Sequence, residues 1–207
     1  MTLLPLILAA GMSQTATAGD GVGIRLKVNT DLFNVANAQA VYEEEDVENG
    51  DAKATTLSFF GSAPRFEATY IITPNIEAGL VLGYNDVQTE AAGEFVSQAT
   101  NRDIGLSFAY NLKLSDGIRG YVQPLLISSK ATAKDEDGES LGHLSTLQYG
   151  ADLGVRIKLV KGATFDPCFE YLAGNTKMFD DAGENVDEDA LVKLSSFGLK
   201  AGISVKF

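Results

Sequence analysis

Apolar and polar side chains alternate along much of this chain with a period of two residues. The clearest case is the segment from Phe197 to Phe207, in which every second residue is apolar and the others are polar or small. Successive side chains of an extended strand point to opposite faces, so this segment has one apolar and one polar face. Such a strand suits a wall between lipid and a polar interior.

Eight segments with this alternation can be marked, each near the ~9–11 residues that a tilted strand needs to cross a bilayer. They cover residues 22–34, 56–72, 75–86, 102–112, 118–128, 145–159, 163–174 and 192–207. Three of them contain proline, which lacks a donor for the strand ladder. We therefore expect a bulge or an extension above the membrane at Pro64, and local bulges at Pro124 and Pro167.

The connections between these segments alternate between short and long. Tight turns are predicted at residues 73–75, 113–117 and 160–163, and long polar loops at 36–54, 87–101, 129–143 and 175–190. This alternation is typical of transmembrane β-barrels, with the short turns in the periplasm and the long loops outside. The sequence thus predicts an all-β fold: a membrane-spanning antiparallel up-and-down β-barrel of eight strands.

The beginning of the chain differs from the rest. Residues 3–10 are apolar, and Ala16-Thr17-Ala18 follows a stretch of small residues, which is typical of a secretory signal peptide. We expect residues 1–18 to be a cleavable signal peptide and residues 19–207 to form the outer-membrane barrel. A first transmembrane helix is the alternative, but the apolar run is much shorter than the ~20 residues such a helix needs.

Charge and composition narrow the classes of function. The net charge is −12, which argues against a nucleic-acid partner, and most of the acidic residues fall in the four long loops. The only cysteine is Cys168, so no disulfide can form within the chain. Mean hydropathy is +0.02, as expected where alternation distributes apolar residues evenly.

The polar faces of the predicted strands carry charges of both signs. An eight-strand barrel has just enough interior to be filled by side chains, so we expect these residues to form a paired lumenal network rather than an open pore. A conducting or proton-relaying path is the alternative. The predicted network comprises Arg25, Lys27, Arg65, Glu67, Glu77, Asp103, Arg119, Asp152, Arg156, Asp166, Glu170 and Lys200, with Asp31, Lys158 and Lys206 on the same faces.

The final strand resembles the assembly signal of outer-membrane proteins, with Lys200, Gly202, Val205 and the terminal Phe207 at the characteristic positions. From about residue 20 to 207, the chain resembles the small eight-stranded outer-membrane barrels of the OmpA/OmpX and opacity-protein type. The resemblance implies that the barrel-assembly machinery recognises the last strand. It also implies a bacterial outer-membrane location.

One pair of residues could carry chemistry. His143 and Ser145 lie two apart, so on a strand they share a face, and the His-x-Ser pair is similar to the catalytic pair of lipid A deacylases. However, the flanking pattern of that family is absent, since Thr146-Leu147 follows the serine. We therefore expect no enzyme activity, no cofactor and no metal site.

Three functions remain as hypotheses. The first is a structural or adhesive surface role through the acidic extracellular loops; the second is a narrow porin or transporter of small hydrophobic molecules; the third is lipid A hydrolysis. The expected partners are outer-membrane lipid and lipopolysaccharide, the assembly machinery, and an extracellular ligand that polar loops do not specify. We expect a monomer.

Overall fold

The computed structural model describes residues 22–42, 53–59, 64–91, 94–135, 137–180, 182–186 and 190–207. The predicted signal peptide and the centre of the first long loop lie outside these residues. Ten strands are found in the described part of the chain, and no helix. They are β1 (Gly23–Tyr42), β2 (Lys53–Phe59), β3 (Arg65–Thr73), β4 (Ile76–Ala91), β5 (Glu94–Ser115), β6 (Ile118–Lys134), β7 (Ser140–Val160), β8 (Ala163–Phe165), β9 (Cys168–Phe179) and β10 (Ala190–Lys206).

The strands pair antiparallel around a complete circuit. The described pairings run β1–β3–β4–β5–β6–β7–β9–β10, and β1 pairs with β10 from Arg25↔Lys206 to Tyr42↔Ala190, which closes the ring. β2 and β3 share one position along β1, and β8 and β9 share one position between β7 and β10. The ten described strands therefore occupy eight positions, which confirms the predicted antiparallel fold.

Pro64 differs from the other two prolines of the predicted strands. Pro64 lies just before β3, and the residues between it and the end of β2 at Phe59 are outside the described part of the chain, so the expected bulge or extension there stays a prediction. The bulges predicted at Pro124 and Pro167 are wrong, because pairing resumes in the same register on both sides of each proline. A proline has no N–H to donate, but its carbonyl can still accept a hydrogen bond from the neighbouring strand. Val155 N–H, for example, donates to Pro167 O at 3.0 Å.

The strands extend much further than the alternation indicated. β5 has 22 residues and β7 has 21, about twice the ~9–11 needed to cross a bilayer, and the surplus lies at the end opposite the two-residue turns. Most of the predicted loops 87–101 and 129–143 is therefore strand, as are residues 36–42 and 53–54 of the first predicted loop and 175–179 of the last. Both faces of a strand outside the membrane meet water, so the alternation disappears while backbone pairing continues.

Within the membrane-spanning part, the outer face is apolar and the inner face is buried and mostly polar. Large exposed apolar side chains follow the outward positions of every long strand, among them Leu82, Leu106, Leu126, Leu153 and Phe197. No helix long and apolar enough to span a membrane occurs among the described residues.

We call the end with the two-residue turns at Pro74–Asn75, Asp116–Gly117 and Lys161–Gly162 the short-turn end. The opposite end, with the extended hairpins, is the long-strand end. Both termini of the barrel wall, Gly23 and Phe207, lie at the short-turn end, where Phe207 N–H donates to Ile24 O at 2.8 Å.

Candidate functional site

Ion pairs occupy the lumen in three clusters stacked along the barrel axis. The cluster nearest the long-strand end, the outer cluster, is centred on Glu170. Its carboxylate lies 2.5 Å from Lys200 Nζ and 2.7 Å from Arg65 Nη1. Lys200 also lies 3.6 Å from Asp31, and Arg65 lies 3.9 Å from Asp103. Two cations thus serve three carboxylates, and the five residues come from five different strands.

The middle cluster is centred on Lys27, which is buried at 2% exposure. Its ammonium lies 3.5 Å from Glu67 and 3.9 Å from Asp152. Glu67 also accepts hydrogen bonds from Ser107, at 2.8 Å, and from Gln123. A buried cation is tolerated only when it is paired, and here one ammonium faces two carboxylates.

The inner cluster, nearest the short-turn end, is built around Glu77. Arg156 Nη1 donates to Glu77 at 2.7 Å and Arg25 Nη2 at 3.3 Å, while Asn111 and Thr69 supply two further donors at 3.3 Å. Asp166 lies 3.6 Å from Arg156 Nε. This cluster is balanced, with two guanidinium groups facing two carboxylates.

Neutral side chains fill the space between the charges. The Tyr121 ring lies between the middle and inner clusters, with its centroid 5.3 Å from Lys27 Nζ and 4.7 Å from Arg156 Cζ. It packs over Gly154, where an added Cβ would come within 2.7 Å of the ring. Four inward apolar residues form a separate buried layer: Val81, Leu125, Ile127 and Leu172.

The structure brings eleven of the twelve predicted network residues into these clusters. Arg119 lies apart from them, at the rim of the short-turn end, where its Nη1 donates to Pro74 O at 2.8 Å. Lys158 and Lys206 line the same rim. The buried clusters therefore contain five cations and seven carboxylates, because these three basic residues lie at one end instead of in the centre.

Both ends of the lumen open into cavities. The one at the long-strand end has a volume of about 140 Å³ and is lined by outer-cluster residues and by Asn29, Asn85 and Asn101. The one at the short-turn end is larger, about 500 Å³. Between them, Tyr121, Gln123 and Lys27 are buried to 2% exposure or less, so the middle of the lumen is filled.

The residues of the predicted assembly signal lie in the seam between β10 and β1. Lys200 belongs to the outer cluster, Gly202 is buried opposite Asn29, and Val205 is buried at 3% exposure opposite Leu26. Phe207 is bonded to the Ile24 backbone in both directions. Recognition of this strand by assembly machinery remains a prediction.

His143 and Ser145 share the outer face of β7, as the spacing predicted. The imidazole stacks on the ring of Phe179, with ring centroids 4.9 Å apart. Phe179 is the residue opposite His143 on the neighbouring strand β9. Among the described residues, no hydrogen bond joins His143 to Ser145. This geometry does not favour a nucleophilic serine activated by a neighbouring base. The described residues also contain no group of three or more His, Cys, Asp or Glu that could hold a metal ion.

Sequence reasoning missed the neutral part of the lumen. Tyr121 and Gln123 share the parity of Arg119 on one strand, so the pattern that placed Arg119 inside could have placed them too. The inward apolar layer carried no such signal. Its residues continue an apolar run on both faces of the strand, and alternation cannot assign them to a side.

Comparisons with known proteins give structural neighbours only. No family model matches the chain, and no curated protein matches its sequence. Neisserial surface protein A has a similar structure, with a TM-score of 0.54 and 17% identity over 90% of this chain and 99% of that one. The outer membrane protein OprG from Pseudomonas aeruginosa has a TM-score of 0.51 and 13% identity over 91% and 98%. The chain therefore has the fold of small outer-membrane β-barrels.

Proposed function

We propose that this protein is a sealed outer-membrane barrel that presents its long-strand end at the cell surface for attachment. The observation that carries the proposal is the one-sided extension of the strands, since β5 and β7 continue well beyond a bilayer at one end and stop at two-residue turns at the other. Crossing a membrane does not require strands that extend beyond it. The extended sheet therefore provides a rigid platform for binding.

The filled lumen supports this function over transport. Lys27 and Tyr121 are both buried at 2% exposure and held together by a 3.5 Å hydrogen bond, so a solute would have to break the middle cluster. The charges of the long-strand end support a surface role as well. The described tips of the β6–β7 and β9–β10 hairpins carry five carboxylates and three lysines: Asp135, Asp137, Glu139, Asp180, Glu184, Lys130, Lys134 and Lys177.

The test compares bacteria that express the full chain with bacteria that express two variants at equal levels in the outer membrane. In the first variant, a Gly-Ser turn replaces residues 129–143, which removes the tip of the β6–β7 hairpin. The second variant keeps its length and carries Asp135→Asn, Asp137→Asn and Glu139→Gln. Retention of the cells is counted on plastic and on animal-cell monolayers.

We expect the shortened variant to lose retention, and the amide variant to lose it in part if charge contributes. Unchanged retention with the shortened variant would contradict a role for this hairpin in attachment. Conductance of the purified protein in planar bilayers is the second measurement. Steady ohmic conductance would contradict the sealed lumen and favour the transport hypothesis instead.

A further inference from the structure

The short-turn end of the lumen is a basic basin, in contrast to the chain as a whole. Its volume is about 500 Å³, within the ~300–1,000 Å³ typical of small-molecule sites. Five basic residues from the turns and strand ends form its rim: Lys113, Arg119, Lys158, Lys161 and Lys206. Arg25 and Arg156 form its floor, and the only carboxylates among the described lining residues are Glu77 and Asp116.

Both carboxylates are already engaged. Asp116 lies 2.7 Å from Lys113 Nζ, and this hydrogen bond holds the pKa of the Asp116 carboxyl below its ordinary value. Glu77 is shared by the two floor arginines. The lysines at 158 and 161 come from one strand end and its turn, and both are exposed. The basin therefore has more positive charge than its own carboxylates balance.

The floor also contains a buried donor without an acceptor. Arg25 is 8% exposed, and its Nε has no hydrogen-bond partner, although Nη1 and Nη2 bond to Ser204 and Glu77. The Nε of Arg156 likewise makes no hydrogen bond and lies 3.6 Å from the nearest Asp166 oxygen. Both Nε atoms are buried below the surface of the basin, so the floor adds positive charge to the site without offering these two donors to a ligand.

We propose that this basin binds a soluble anion that carries two or more phosphate charges. Guanidinium groups match phosphate oxygens in pairs, and lysines add point charges around them. A concave site with walls of one charge concentrates the field on its centre. The floor residues face the lumen and not the outer surface, so a soluble molecule reaches them more directly than a lipid headgroup does. In the orientation of the proposed function, the ligand comes from the periplasm.

Calorimetry on the full barrel in a non-ionic detergent tests this proposal, and the test does not depend on orientation. The probe is inorganic tripolyphosphate at low ionic strength, with inorganic phosphate as the weaker ligand. The test variant is Lys158→Gln/Lys161→Gln. The control is Lys130→Gln/Lys177→Gln, which removes the same charge from exposed lysines at the long-strand end.

We expect saturable binding that weakens about tenfold or more in the Lys158/Lys161 variant, since the variant lacks two of the five cations at the rim. The Lys130/Lys177 control should keep the affinity of the parent. Equal weakening in both variants, or no saturable heat with tripolyphosphate, would overturn the proposal.

A second arm separates the soluble ligand from a lipid. The barrel is placed in nanodiscs of phosphatidylcholine, with or without phosphatidylglycerol, and titrated again with tripolyphosphate. Unchanged binding in both supports a soluble ligand. Loss of tripolyphosphate binding in the nanodiscs that contain phosphatidylglycerol would assign the basin to a lipid headgroup and overturn the proposal.

Discussion

The inner and outer walls of this barrel are made from the same strands, yet they are stabilised in different ways. On β5, Leu106 and Phe108 are exposed at 58% and 46%, while Ser107 and Ala109 between and beside them are buried at 5% and 1%. The outer wall needs only apolar side chains that dissolve in lipid. On the inner wall each polar group depends on a particular partner, so its tolerance for substitution is lower.

The largest effect is expected where the inner wall loses a shared partner. Glu77→Gln leaves Arg25 and Arg156 buried with only Asp166 to balance them, and breaking a buried pair in this way costs about 3–5 kcal/mol. Guanidinium titration of barrels refolded in lipid vesicles measures the loss. Glu139→Gln, at an exposed hairpin tip, makes the same chemical change and should shift the free energy of unfolding by less than about 0.5 kcal/mol.

On the outer wall, the cost of a charged substitution should depend on how deep the position lies in the membrane. Leu106 pairs with Leu80 and Leu126 in the middle of the apolar band, where an arginine costs about 2–4 kcal/mol. Leu114 is on the same face of the same strand but next to the short turn, where the cost falls to about 0–1 kcal/mol. The comparison of Leu106→Arg with Leu114→Arg in the same titration tests this gradient. Equal costs would contradict the assignment of Leu106 to the middle and Leu114 to the edge of the membrane.

A smaller effect is expected from overpacking the inner wall. An added Cβ at Gly154 would lie 2.6 Å from Cys168 Cβ and 2.7 Å from the Tyr121 ring, so Gly154→Ala should destabilise the barrel by about 1–3 kcal/mol. Gly120→Ala is the control, because its nearest neighbour is the flexible end of Leu114 at 3.4 Å. If both substitutions had the same effect, Tyr121 would not be held in place by Gly154.

The smallest effect on stability is expected for an exposed ion pair that lies at a turn, outside both walls. Asp116 and Lys113 are exposed at the short turn, and the lysine holds the pKa of the Asp116 carboxyl below its ordinary value. A carboxyl whose pKa is lower in the folded than in the unfolded protein stabilises the fold at pH values above the unfolded pKa. This stabilisation is lost as the pH falls through the folded pKa. Lys113→Gln should raise the Asp116 pKa in a carbon-13 NMR titration without a measurable change in unfolding, because exposed pairs contribute little.

The fold could be predicted from the sequence because the membrane imposes alternation on every strand that crosses it. Ile104, Leu106 and Phe108 point one way and Asp103, Gly105 and Ser107 the other, and the structure shows that arrangement. Beyond the membrane the constraint is lost. Residues 88–91 pair with residues 94–98 as a hairpin with no alternation, so the pattern there predicted a loop.

The site could be predicted only in part, because parity assigns a side chain to a wall but not to a height. Arg65 and Arg119 both have inward parity, yet Arg65 reaches Glu170 while Arg119 reaches Pro74 at the rim. Height depends on the register between strands, which a single sequence does not specify. For the same reason the basic basin was not predicted, although each of its lysines was visible.

The seam between β1 and β10 sets the order in which this protein can form. Arg25 and Ser204 are hydrogen-bonded across it although they are 179 residues apart in the chain. Contacts between such distant residues form late, because the entropy of closing so long a loop must be lost first. Until the last strand arrives, β1 is an open edge that can template pairing with another chain. The barrel is therefore complete only when β10 (Ala190–Lys206) has paired with β1.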